Sequence, residues 1–331
     1  MGDFSDSAWS SKLPWTLGVA IGIATFLWFV LRANRPKCRC RADLTGKTVV
    51  VTGANSGIGY YTALDLAARN ARVILACRSK TRGEAAREKI IARSGNKDVV
   101  VRVLNLGSLE SVRQFARDVI QTEERLDILV NNAGANGLPQ ITTDDGLELN
   151  FAVNHFGPFL LTNMLLGLLK KSAPSRIINV SSSAQRIVSA RSCLDLDYLQ
   201  GRHTSLINMM KYPPTKLANL LFTRELALRL KGTGVTTYCV HPGRVRTQIC
   251  RRLHPFLRTI FYPAVFLFKT AEEGAQTSIH CAVSEDVKKE SGKYYIDCVQ
   301  VENYWRVNPA ANDPAVTKKF WEISEKLTGL A

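Results

Sequence analysis

The sequence predicts an α/β protein with a doubly wound parallel sheet, covered by helices on both faces and preceded by an N-terminal transmembrane helix. Three observations support this fold class. Short apolar runs alternate with helix-like stretches from residue 48 onward. A glycine-rich turn follows the first of these runs directly. An uncharged apolar segment near the start of the chain is long enough to cross a bilayer.

The apolar runs are predicted to be strands. They are TVVVT at 48–52, RVILAC at 72–77, VVVRVLNL at 99–106, and the runs within DILVNNAG, SRIINVSSS, GVTTYCVHPG and GKYYID. Helical stretches separate them, including those around 150–169 and 208–230. Strands that alternate with helices form βαβ units, which give a parallel sheet with both faces covered. Because no repeat or low-complexity linker interrupts the series, a single domain is predicted from residue 42 to residue 331.

Residues 1–41 are predicted to form a membrane anchor with a basic flank. The segment from Leu13 to Leu31 carries no charge, and its length of about 19 residues suits a transmembrane helix. Lys12 is the one basic side chain ahead of it, whereas five basic residues follow it within 32–41. The positive-inside rule therefore places the rest of the chain in the cytosol. A cleaved signal peptide would carry its positive charge before the apolar run, so an uncleaved single-pass anchor is favoured.

The charge and cysteine patterns limit the class of partner. The net charge of +16 suits an anionic membrane surface or an anionic cofactor. The basic residues are not interleaved with aromatic residues, so nucleic acid is not a predicted partner. The eight cysteines form neither a paired CxxC motif nor a regular framework, which argues against a structural zinc site and a disulfide scaffold. No metal site is predicted, and a reducing compartment is the simpler interpretation.

The segment TGANSGIG links the first predicted strand to the first predicted helix. Gly53, Gly57 and Gly59 would let the backbone approach a pyrophosphate, and the helix start would offer it free N–H groups. A plain glycine turn is the alternative, but a position after the first strand of a βαβ series is typical of Rossmann-type dinucleotide sites. The predicted cofactor contacts in this turn are the three glycines together with Ala54, Asn55, Ser56 and Ile58.

The end of the second predicted strand distinguishes the two nicotinamide dinucleotides. NAD sites place an acidic residue there for the ribose 2′-hydroxyl, whereas a 2′-phosphate favours arginine. Here the segment LACRSK places Arg78 at this position, and the nearest acid is Glu84. The sequence therefore predicts NADP as the cofactor, with a merely solvated Arg78 as the alternative.

The segment YPPTK places Tyr212 and Lys216 four residues apart, so a helix would carry both side chains on one face. The ordinary pKa of a phenol, near 10, is too high for proton exchange at neutral pH, and a neighbouring ammonium would lower it. Such a tyrosine can exchange a proton with a carbonyl or alcohol oxygen while a nicotinamide carries the hydride. Pro213 and Pro214 would be tolerated in a first helical turn but would distort the pair deeper in a helix.

Several motifs occur together and in a fixed order: TGANSGIG, NNAG, VNHFGPFLLT, RIINVSSS, YPPTKLAN and HPG. On this set, which extends from about residue 44 to residue 243, the chain resembles the short-chain dehydrogenase/reductase family. The segments SAPSRIINVSS, TKLANLLFT, RLKGTGVTTYCVHPG and EGAQTSIHCA, with the predicted anchor, are most similar to those of membrane-bound retinol dehydrogenases. Members of that group reduce retinal and related lipid aldehydes with NADPH.

The resemblance implies catalytic roles for individual residues. Tyr212 would be the general acid/base, and Lys216 would lower its pKa and contact the ribose of the cofactor. Ser182 would be the hydroxyl that orients the substrate carbonyl, with its neighbours Ser181 and Ser183 as alternatives.

The resemblance also implies further residues for the proton relay and the cofactor cleft. Asn154 would complete the relay. Further cofactor contacts would come from Asn105, Asn132, Ala133, Gly134, Pro242, Gly243, Val245 and Thr247.

The segment 244–269 is predicted to cover the substrate. It combines five arginines with the apolar run TIFYPAVFLF. Because this run is too short to span a bilayer, it would either lie on the membrane surface or form a buried lid.

Together these features predict an NADP-dependent oxidoreductase that interconverts retinal and retinol, or similar lipid aldehydes and alcohols, at the cytosolic face of the endoplasmic reticulum membrane. A steroid or other lipid ketone reductase is the alternative within the same class. A non-catalytic NADP-binding membrane scaffold is the alternative outside it, and a homodimer is left open.

Overall fold

The computed structural model of the chain describes residues 18–19, 22–23, 25–26, 29–30, 35–136, 138–139, 141–202, 211–245, 268–302 and 305–331. The chain divides into two units. One consists of Lys37–Arg252 with Lys269–Ala331, and the other of Met1–Pro36 with Leu253–Phe268. The sheet and the candidate site described below belong to the larger unit.

The strands of the larger unit are β1 (Thr48–Thr52), β2 (Arg72–Cys77), β3 (Val99–Val103), β4 (Ile128–Asn131), β5 (Ser175–Val180), β6 (Val235–His241), β7 (Lys293–Ile296) and β8 (Val299–Gln300). They form a sheet in the order β3–β2–β1–β4–β5–β6–β7–β8. All neighbouring pairs are parallel except β7 and β8, which are antiparallel. The doubly wound parallel sheet predicted from the sequence is therefore confirmed.

Helices connect the strands and cover both faces of the sheet. They are α1 (Gly57–Ala68), α2 (Lys80–Ser94), α3 (Leu109–Thr122), α4 (Leu149–Lys171), α5 (Arg191–Leu194), α6 (Leu196–Leu199), α7 (Tyr212–Arg229), α8 (Ala271–Val283) and α9 (Pro314–Thr328). Helix α1 packs against α2 and α8, while α4 packs against α3 and α7 packs against α9. Helix α4 contains a π-helical turn over Ala152–Phe156.

Alternate residues of the central strands face two separate hydrophobic cores. Val50 and Ile74 belong to the core that includes residues of α3, α4 and α7. Val49 and Val51 belong to the core that includes residues of α1 and α8. Strand β1 is buried along its whole length, as expected for a parallel strand with helices on both sides.

The direction in which the strands are added reverses at β1 and β4. Strands β2 and β3 lie on one side of β1, and the later strands extend from β4 on the other side. In doubly wound sheets, the loops that leave such a point at the carboxyl ends separate and form a crevice for ligands. Val51 pairs with Val130, and Val130 pairs with Ile178, so the carboxyl ends of β1, β4 and β5 lie level. The candidate site lies at this edge.

The predicted anchor lies for most of its length outside the described residues. Eight residues of the 13–31 segment are described, and these are helical and exposed. Among the described residues, α4 is the one helix long and apolar enough to cross a bilayer, by length and composition alone. Because 72% of its apolar window is buried inside the protein, α4 has the character of a core helix, and the anchor at 13–31 stays a prediction.

Candidate active site

A predicted site residue follows each of the first six strands. Because β1 to β6 are parallel, the fold brings these residues to one edge of the sheet. They are Gly53 after β1, Arg78 after β2, Asn105 after β3, Asn132 after β4, Ser182 after β5 and Pro242 after β6.

Tyr212 is the first residue of α7, and Lys216 lies one helical turn further on. Pro213 and Pro214 fall in the first turn of the helix. Backbone N–H groups there have no acceptor within the helix, so the two prolines cost α7 no internal hydrogen bond. The Nζ atom of Lys216 lies 5.4 Å from the centroid of the Tyr212 ring. The structure therefore places both side chains together on one face of α7.

Lys216 reaches from α7 to the ends of β4 and β5. Its Nζ donates a hydrogen bond to the carbonyl oxygen of Val180 at 2.9 Å. A Cβ atom added at Gly134 would lie 3.1 Å from this Nζ. Lys216 is 2% exposed, so the ammonium is enclosed between β5 and the loop that follows β4. A side chain at position 134 would compete with it for space.

Burial controls the pKa values of the tyrosine and the lysine. It raises the pKa of Tyr212 to about 12, and a hydrogen bond with the Ser182 side chain acts in the opposite direction. Burial also lowers the pKa of Lys216 to about 8. The direction predicted from the sequence, a lowered tyrosine pKa, is opposite to this shift. The reason is that lost hydration disfavours the phenolate of Tyr212 and, likewise, the ammonium of Lys216.

The three serines after β5 lie in different surroundings. The hydroxyl of Ser181 donates a hydrogen bond to the carbonyl oxygen of Lys216 at 2.7 Å, inside the core. Ser183 is exposed on the 3₁₀ turn that follows the strand. Ser182 is half-buried, and it is the serine whose side chain acts on the Tyr212 hydroxyl and lowers its pKa. The structure therefore places Ser182, and neither of its neighbours, at the tyrosine hydroxyl.

Asn154 is fully buried in the π-helical turn of α4. Its Nδ2 donates hydrogen bonds to the Ala135 carbonyl oxygen at 2.9 Å and to Thr215 Oγ1 at 3.0 Å. Its Oδ1 accepts a hydrogen bond from the Ala135 N–H at 2.8 Å. Thr215 Oγ1 donates in turn to the Tyr212 carbonyl oxygen at 2.7 Å. Asn154 thus links α4, the loop after β4 and the start of α7, and π turns of this kind are frequent at functional sites.

Sequence reasoning missed Thr215, although this residue connects Asn154 to the backbone of Tyr212. The signal in the sequence is a hydroxyl residue directly before Lys216. That signal is weak, because threonine at a helix start is common and its partner lies on another helix.

The glycine-rich turn packs against the loop after β4. Gly53 and Gly57 have φ angles of +67° and +60°, a conformation that residues with a Cβ rarely adopt. A Cβ added at Gly59 would lie 2.4 Å from Asn132 Nδ2 and 2.6 Å from the Gly53 carbonyl oxygen. Glycine at position 59 is therefore required for α1 to start this close to the neighbouring loop.

The first turn of α1 leaves its N–H groups available to an anion. Ser56 is the N-cap residue, is exposed, and makes no side-chain capping hydrogen bond within the described part of the chain. The first turn of α1 also contains no acidic residue. Ala54 is buried, while Asn55 and Ile58 are half-buried. An uncapped helix start with this loop in front of it suits a pyrophosphate group.

The NNAG loop is held against the end of β1. Asn132 Nδ2 donates a hydrogen bond to the Thr52 carbonyl oxygen at 2.8 Å. The N–H groups of Asn132 and Ala133 both donate to Thr52 Oγ1, at 3.0 and 2.9 Å. Gly134 then brings the backbone next to Lys216. The two loops predicted to contact the cofactor therefore form one packed surface.

Arg78 and Asn105 lie at the far side of the crevice, after β2 and β3. Arg78 is exposed, and an exposed cation at the end of β2 suits a 2′-phosphate. Glu84, the nearest acid in the sequence, forms an ion pair with Arg87 on α2 at 3.5 Å. Asn105 Oδ1 accepts a hydrogen bond from the Gly107 N–H at 3.2 Å, which stabilises the turn after β3.

The residues after β6 border the opposite end of the crevice. Pro242 is buried, and Gly243 has a φ of +87°. Val245 forms an isolated parallel bridge with Lys269, a residue that sequence reasoning did not identify. The Lys269 side chain lies so near that a Cβ at position 243 would be 3.0 Å from it. Thr247 lies outside the described residues.

This arrangement fits a nicotinamide dinucleotide and a carbonyl or alcohol substrate. Backbone and glycine form the phosphate side, where Gly59 and the uncapped start of α1 leave room and N–H donors. The other side brings a phenol, a serine hydroxyl and an ammonium together, which are the groups needed to move a proton to or from oxygen.

The sequence matches one family model and is similar to several named dehydrogenases. Residues 47–193 match the family model described as short chain dehydrogenase. Retinol dehydrogenase 12 of Bos taurus is 45% identical, over 95% of this chain and 98% of the relative. Retinol dehydrogenase 14 of Mus musculus is 46% identical over 86% of each chain. Dehydrogenase/reductase SDR family member 13 of Bos taurus is 45% identical, over 95% of this chain and 81% of the relative.

Solved structures share the fold. An uncharacterized protein from Mycobacterium paratuberculosis superimposes with a TM-score of 0.65 and 31% identity, over 90% of this chain and 96% of that chain. The Pseudomonas aeruginosa RhlG/NADP active-site complex matches with a TM-score of 0.61 and 25% identity, over 76% of this chain and 94% of that chain.

Proposed function

Because the chain belongs to the short-chain dehydrogenase/reductase family, we propose that it is an NADP-dependent enzyme that interconverts retinal and retinol or similar lipid aldehydes and alcohols. As a member of this family it is an oxidoreductase that acts on CH–OH groups with a nicotinamide cofactor. The names of the relatives, retinol dehydrogenases 12 and 14, support the retinoid substrate. The NADP complex among the similar structures supports the cofactor.

The observation that carries this proposal is the contact of Tyr212 with Ser182 beside Lys216. The Ser182 side chain acts on the tyrosine hydroxyl and lowers its pKa, and the lysine Nζ lies 5.4 Å from the tyrosine ring. These groups lie at the carboxyl edge of the sheet, next to the NNAG loop. A phenol held in this way is suited to exchange a proton with a substrate oxygen.

In the reductive direction, Tyr212 donates its hydroxyl proton to the substrate carbonyl oxygen while Ser182 orients that oxygen by a hydrogen bond. When bound, NADPH supplies the hydride. A phenol is protonated at neutral pH, and burial raises the pKa of Tyr212 further, to about 12, so the proton is in place before reduction begins. Lys216 stabilises the negative charge that develops on the phenol as the proton leaves. Asn154 connects this group to the NNAG loop and completes the proton relay.

Arg78 supports NADP over NAD. Its exposed guanidinium stands at the end of β2, where the ribose 2′ position of a bound dinucleotide is read. We assign the phosphates to the turn Gly53–Gly59, the adenine side to Asn105, and the ribose to Lys216. The lining of the cofactor cleft is assigned to Asn132, Ala133 and Gly134, and the nicotinamide side to Pro242, Gly243, Val245 and Thr247.

The substrate class agrees with the predicted membrane anchor. Retinal and retinol are apolar and reside in bilayers. The uncharged segment 13–31, followed by basic residues, would hold the catalytic domain at the cytosolic face of the endoplasmic reticulum membrane. In this arrangement residues 1–41 are the anchor, residues 42–331 are the domain, and the segment 244–269 covers the substrate. A homodimer is compatible with it.

A panel of carbonyl substrates tests the proposal. Full-length protein in detergent is assayed with retinal and with a steroid ketone, using NADPH and NADH in parallel. We expect retinal reduction with NADPH, and a kcat/KM for NADPH about 10- to 100-fold above that for NADH, the range that one charge-assisted phosphate contact supplies. The variant Arg78→Glu should remove this preference. The variant Arg117→Glu reverses an exposed arginine on α3 and should keep the preference.

Two results would contradict the proposal. Faster turnover of the steroid ketone than of retinal would replace the retinoid by the ketone class. Saturable NADPH binding without turnover of any carbonyl would overturn the catalytic assignment itself.

A further inference from the structure

Lys211, the residue directly before Tyr212, is 1% exposed. A buried ammonium loses its hydration and needs a compensating partner. Within the described part of the chain, the Nζ of Lys211 has no hydrogen-bond partner. It forms an ion pair with Glu148, across 3.8 Å to Oε1. The charge of this lysine is thus balanced by a carboxylate on a different helix.

Glu148 is also buried, at 2% exposed, and is the N-cap residue of α4. Its Oε2 accepts a hydrogen bond from the Phe151 N–H at 2.9 Å. Its Oε1 accepts one from Asn150 Nδ2 at 2.7 Å. These two bonds fix the carboxylate at the start of the helix whose π turn contains Asn154.

Two connections therefore join α4 to the start of α7, and Tyr212 lies between them in the chain. On one side of the tyrosine, Lys211 pairs with Glu148. On the other side, Thr215 accepts the hydrogen bond from Asn154 at 3.0 Å. The position of the phenol is thus determined by contacts on both sides.

The two prolines after the tyrosine limit the other ways in which the start of α7 could be held. Pro213 and Pro214 have no N–H group, so the first turn of α7 has fewer backbone donors through which neighbouring loops could fix it. Side-chain contacts to α4 compensate for this loss.

We propose that Lys211 and Glu148 are positioning residues, which hold the Tyr212 hydroxyl in place beside Ser182 and Lys216 for proton transfer. The inference rests on the catalytic role of Tyr212 in the proposed function. A buried ion pair is often no more stabilising than apolar residues of similar volume, so stability alone gives no reason for it at this place. The need to restrain the direction of the phenol does give a reason for a buried ion pair at this place.

The variants Lys211→Met and Glu148→Gln remove the ion pair and keep the volume of the side chains. The glutamine also keeps an oxygen that can accept the Phe151 N–H. Each variant should lower kcat about 10- to 100-fold, since small displacements of a catalytic group have effects of this size. The KM for the carbonyl substrate and the Kd for NADPH should change by less than about threefold, because the ion pair includes no residue assigned to either ligand. Lys211→Arg, which keeps the charge, should restore most of kcat.

The matched control is Arg102→Met. Arg102 is a partly buried cation that pairs with buried Glu123, and its Nη1 atom also has no hydrogen-bond partner among the described residues. Its pair lies between β3 and the end of α3. This variant should lose less stability than the Lys211 variant, because Glu123 keeps its ion pair with Arg72, and it should keep kcat within about twofold.

The double variant Lys211→Met with Glu148→Gln separates positioning from stability. It leaves no buried charge unpaired, so its free energy of unfolding should recover relative to either single variant. Its kcat should stay low, because the restraint on the phenol is still missing. A kcat that recovers together with stability would show that the pair is only structural and would overturn the proposal.

A measurement without turnover keeps this test independent of the substrate assignment. Amide hydrogen exchange at Thr215–Asn219 should be faster in Lys211→Met and Glu148→Gln than in the wild type and unchanged in Arg102→Met. Unchanged exchange in all variants would overturn the proposal. Kinetics are measured with whichever carbonyl the wild-type protein reduces fastest, so a wrong retinoid assignment leaves the result intact.

Discussion

The phosphate side and the proton-transfer side of the crevice are built in different ways. On the phosphate side, contiguous residues form the turn from Gly53 to Gly59, and the backbone and an uncapped helix start provide the binding groups. On the proton-transfer side, single side chains from β5, α4 and α7 meet, and each depends on contacts far away in sequence. A local motif can therefore specify the first side, whereas the second exists only once the whole sheet and both helices have packed.

The two sides also differ in hydration. Ser56 and Arg78 are exposed at the phosphate side, where charges stay hydrated until a ligand arrives. Lys216 and Asn154 are buried at the proton-transfer side, where loss of hydration shifts the pKa values of ionisable groups. A substitution on the first side should therefore affect binding first, and one on the second side should affect the chemical step first.

The largest expected effect comes from Tyr212→Phe, which removes only the hydroxyl. We expect kcat to fall by about 10²- to 10⁴-fold, the usual contribution of a general acid. The Kd for NADPH should stay within about threefold of the wild-type value, because the phosphate side is unchanged. Stopped-flow measurement of NADPH oxidation and fluorescence titration of NADPH check both quantities.

The control for this variant is Tyr238→Phe. Tyr238 is fully buried in β6, and its hydroxyl donates to the Val287 carbonyl oxygen at 2.8 Å. Its removal should lower stability by about 1–3 kcal/mol, since a buried carbonyl loses its partner, with kcat unchanged. If Tyr212→Phe kept wild-type kcat, the proton-transfer side would have been assigned to the wrong residues.

A smaller effect, on the phosphate side, is expected from Gly59→Ala. The added Cβ would lie 2.4 Å from Asn132 Nδ2 and 2.6 Å from the Gly53 carbonyl oxygen, so α1 and the NNAG loop must move apart. Overpacking of this kind costs about 1–3 kcal/mol, and we expect NADPH binding to weaken by a similar free energy. Urea unfolding and NADPH titration measure the two losses.

Gly167→Ala is the matched control for a methyl group added at a helical glycine. Gly167 lies in α4, and an added Cβ there would meet nothing within 4 Å. This variant should be neutral or stabilising by up to about 1 kcal/mol, since alanine favours the helix. Equal behaviour of the two variants would mean that the packing at Gly59 does not control the phosphate side.

The strands with long apolar runs could be predicted from the sequence, and the short or polar elements could not. The run at 72–77 is strand β2 as predicted, but the run at 99–106 ends as a strand at Val103, because the following residues form the turn in which Asn105 binds Gly107. Strand β8 has two residues and no apolar pattern, and no helix was anticipated at Pro314–Thr328. Strand β8 is defined by its pairing with β7, whereas α9 has local signals that sequence reasoning missed: Asp313 as N-cap, Pro314 at its start and Gly329 at its end.

The same distinction holds for the site. The helical spacing of Tyr212 and Lys216 could be recognised in five consecutive residues, and the structure brings the two together. The raised pKa of Tyr212 could not be predicted from the sequence, because burial is a property of the packed domain. The partnership of Lys211 with Glu148 was also missed, since the two residues are far apart in sequence and lie on different helices.

The smallest effect, and the one that tests hydration directly, is the pH dependence of stability at Lys216. Burial lowers its pKa from 10.5 to about 8, so between these values the unfolded chain holds the proton more tightly than the folded chain. Stability rises with pH wherever the unfolded state binds more protons. The lysine therefore destabilises the fold fully below pH 8, and this cost disappears as the pH rises toward 10.5.

Comparison with Lys216→Met isolates this contribution, because the other titrating groups are common to both proteins. From pH 7 to pH 9.5 the free energy of unfolding of the wild type should rise relative to the variant by roughly 2 kcal/mol. The window ends below the ordinary pKa of tyrosine, where the raised pKa of Tyr212 would begin to act in the opposite direction. Urea titrations at four pH values measure the difference. A difference that does not vary with pH would mean that the ammonium is hydrated in solution, and the contrast in hydration between the two sides of the crevice would then be lost.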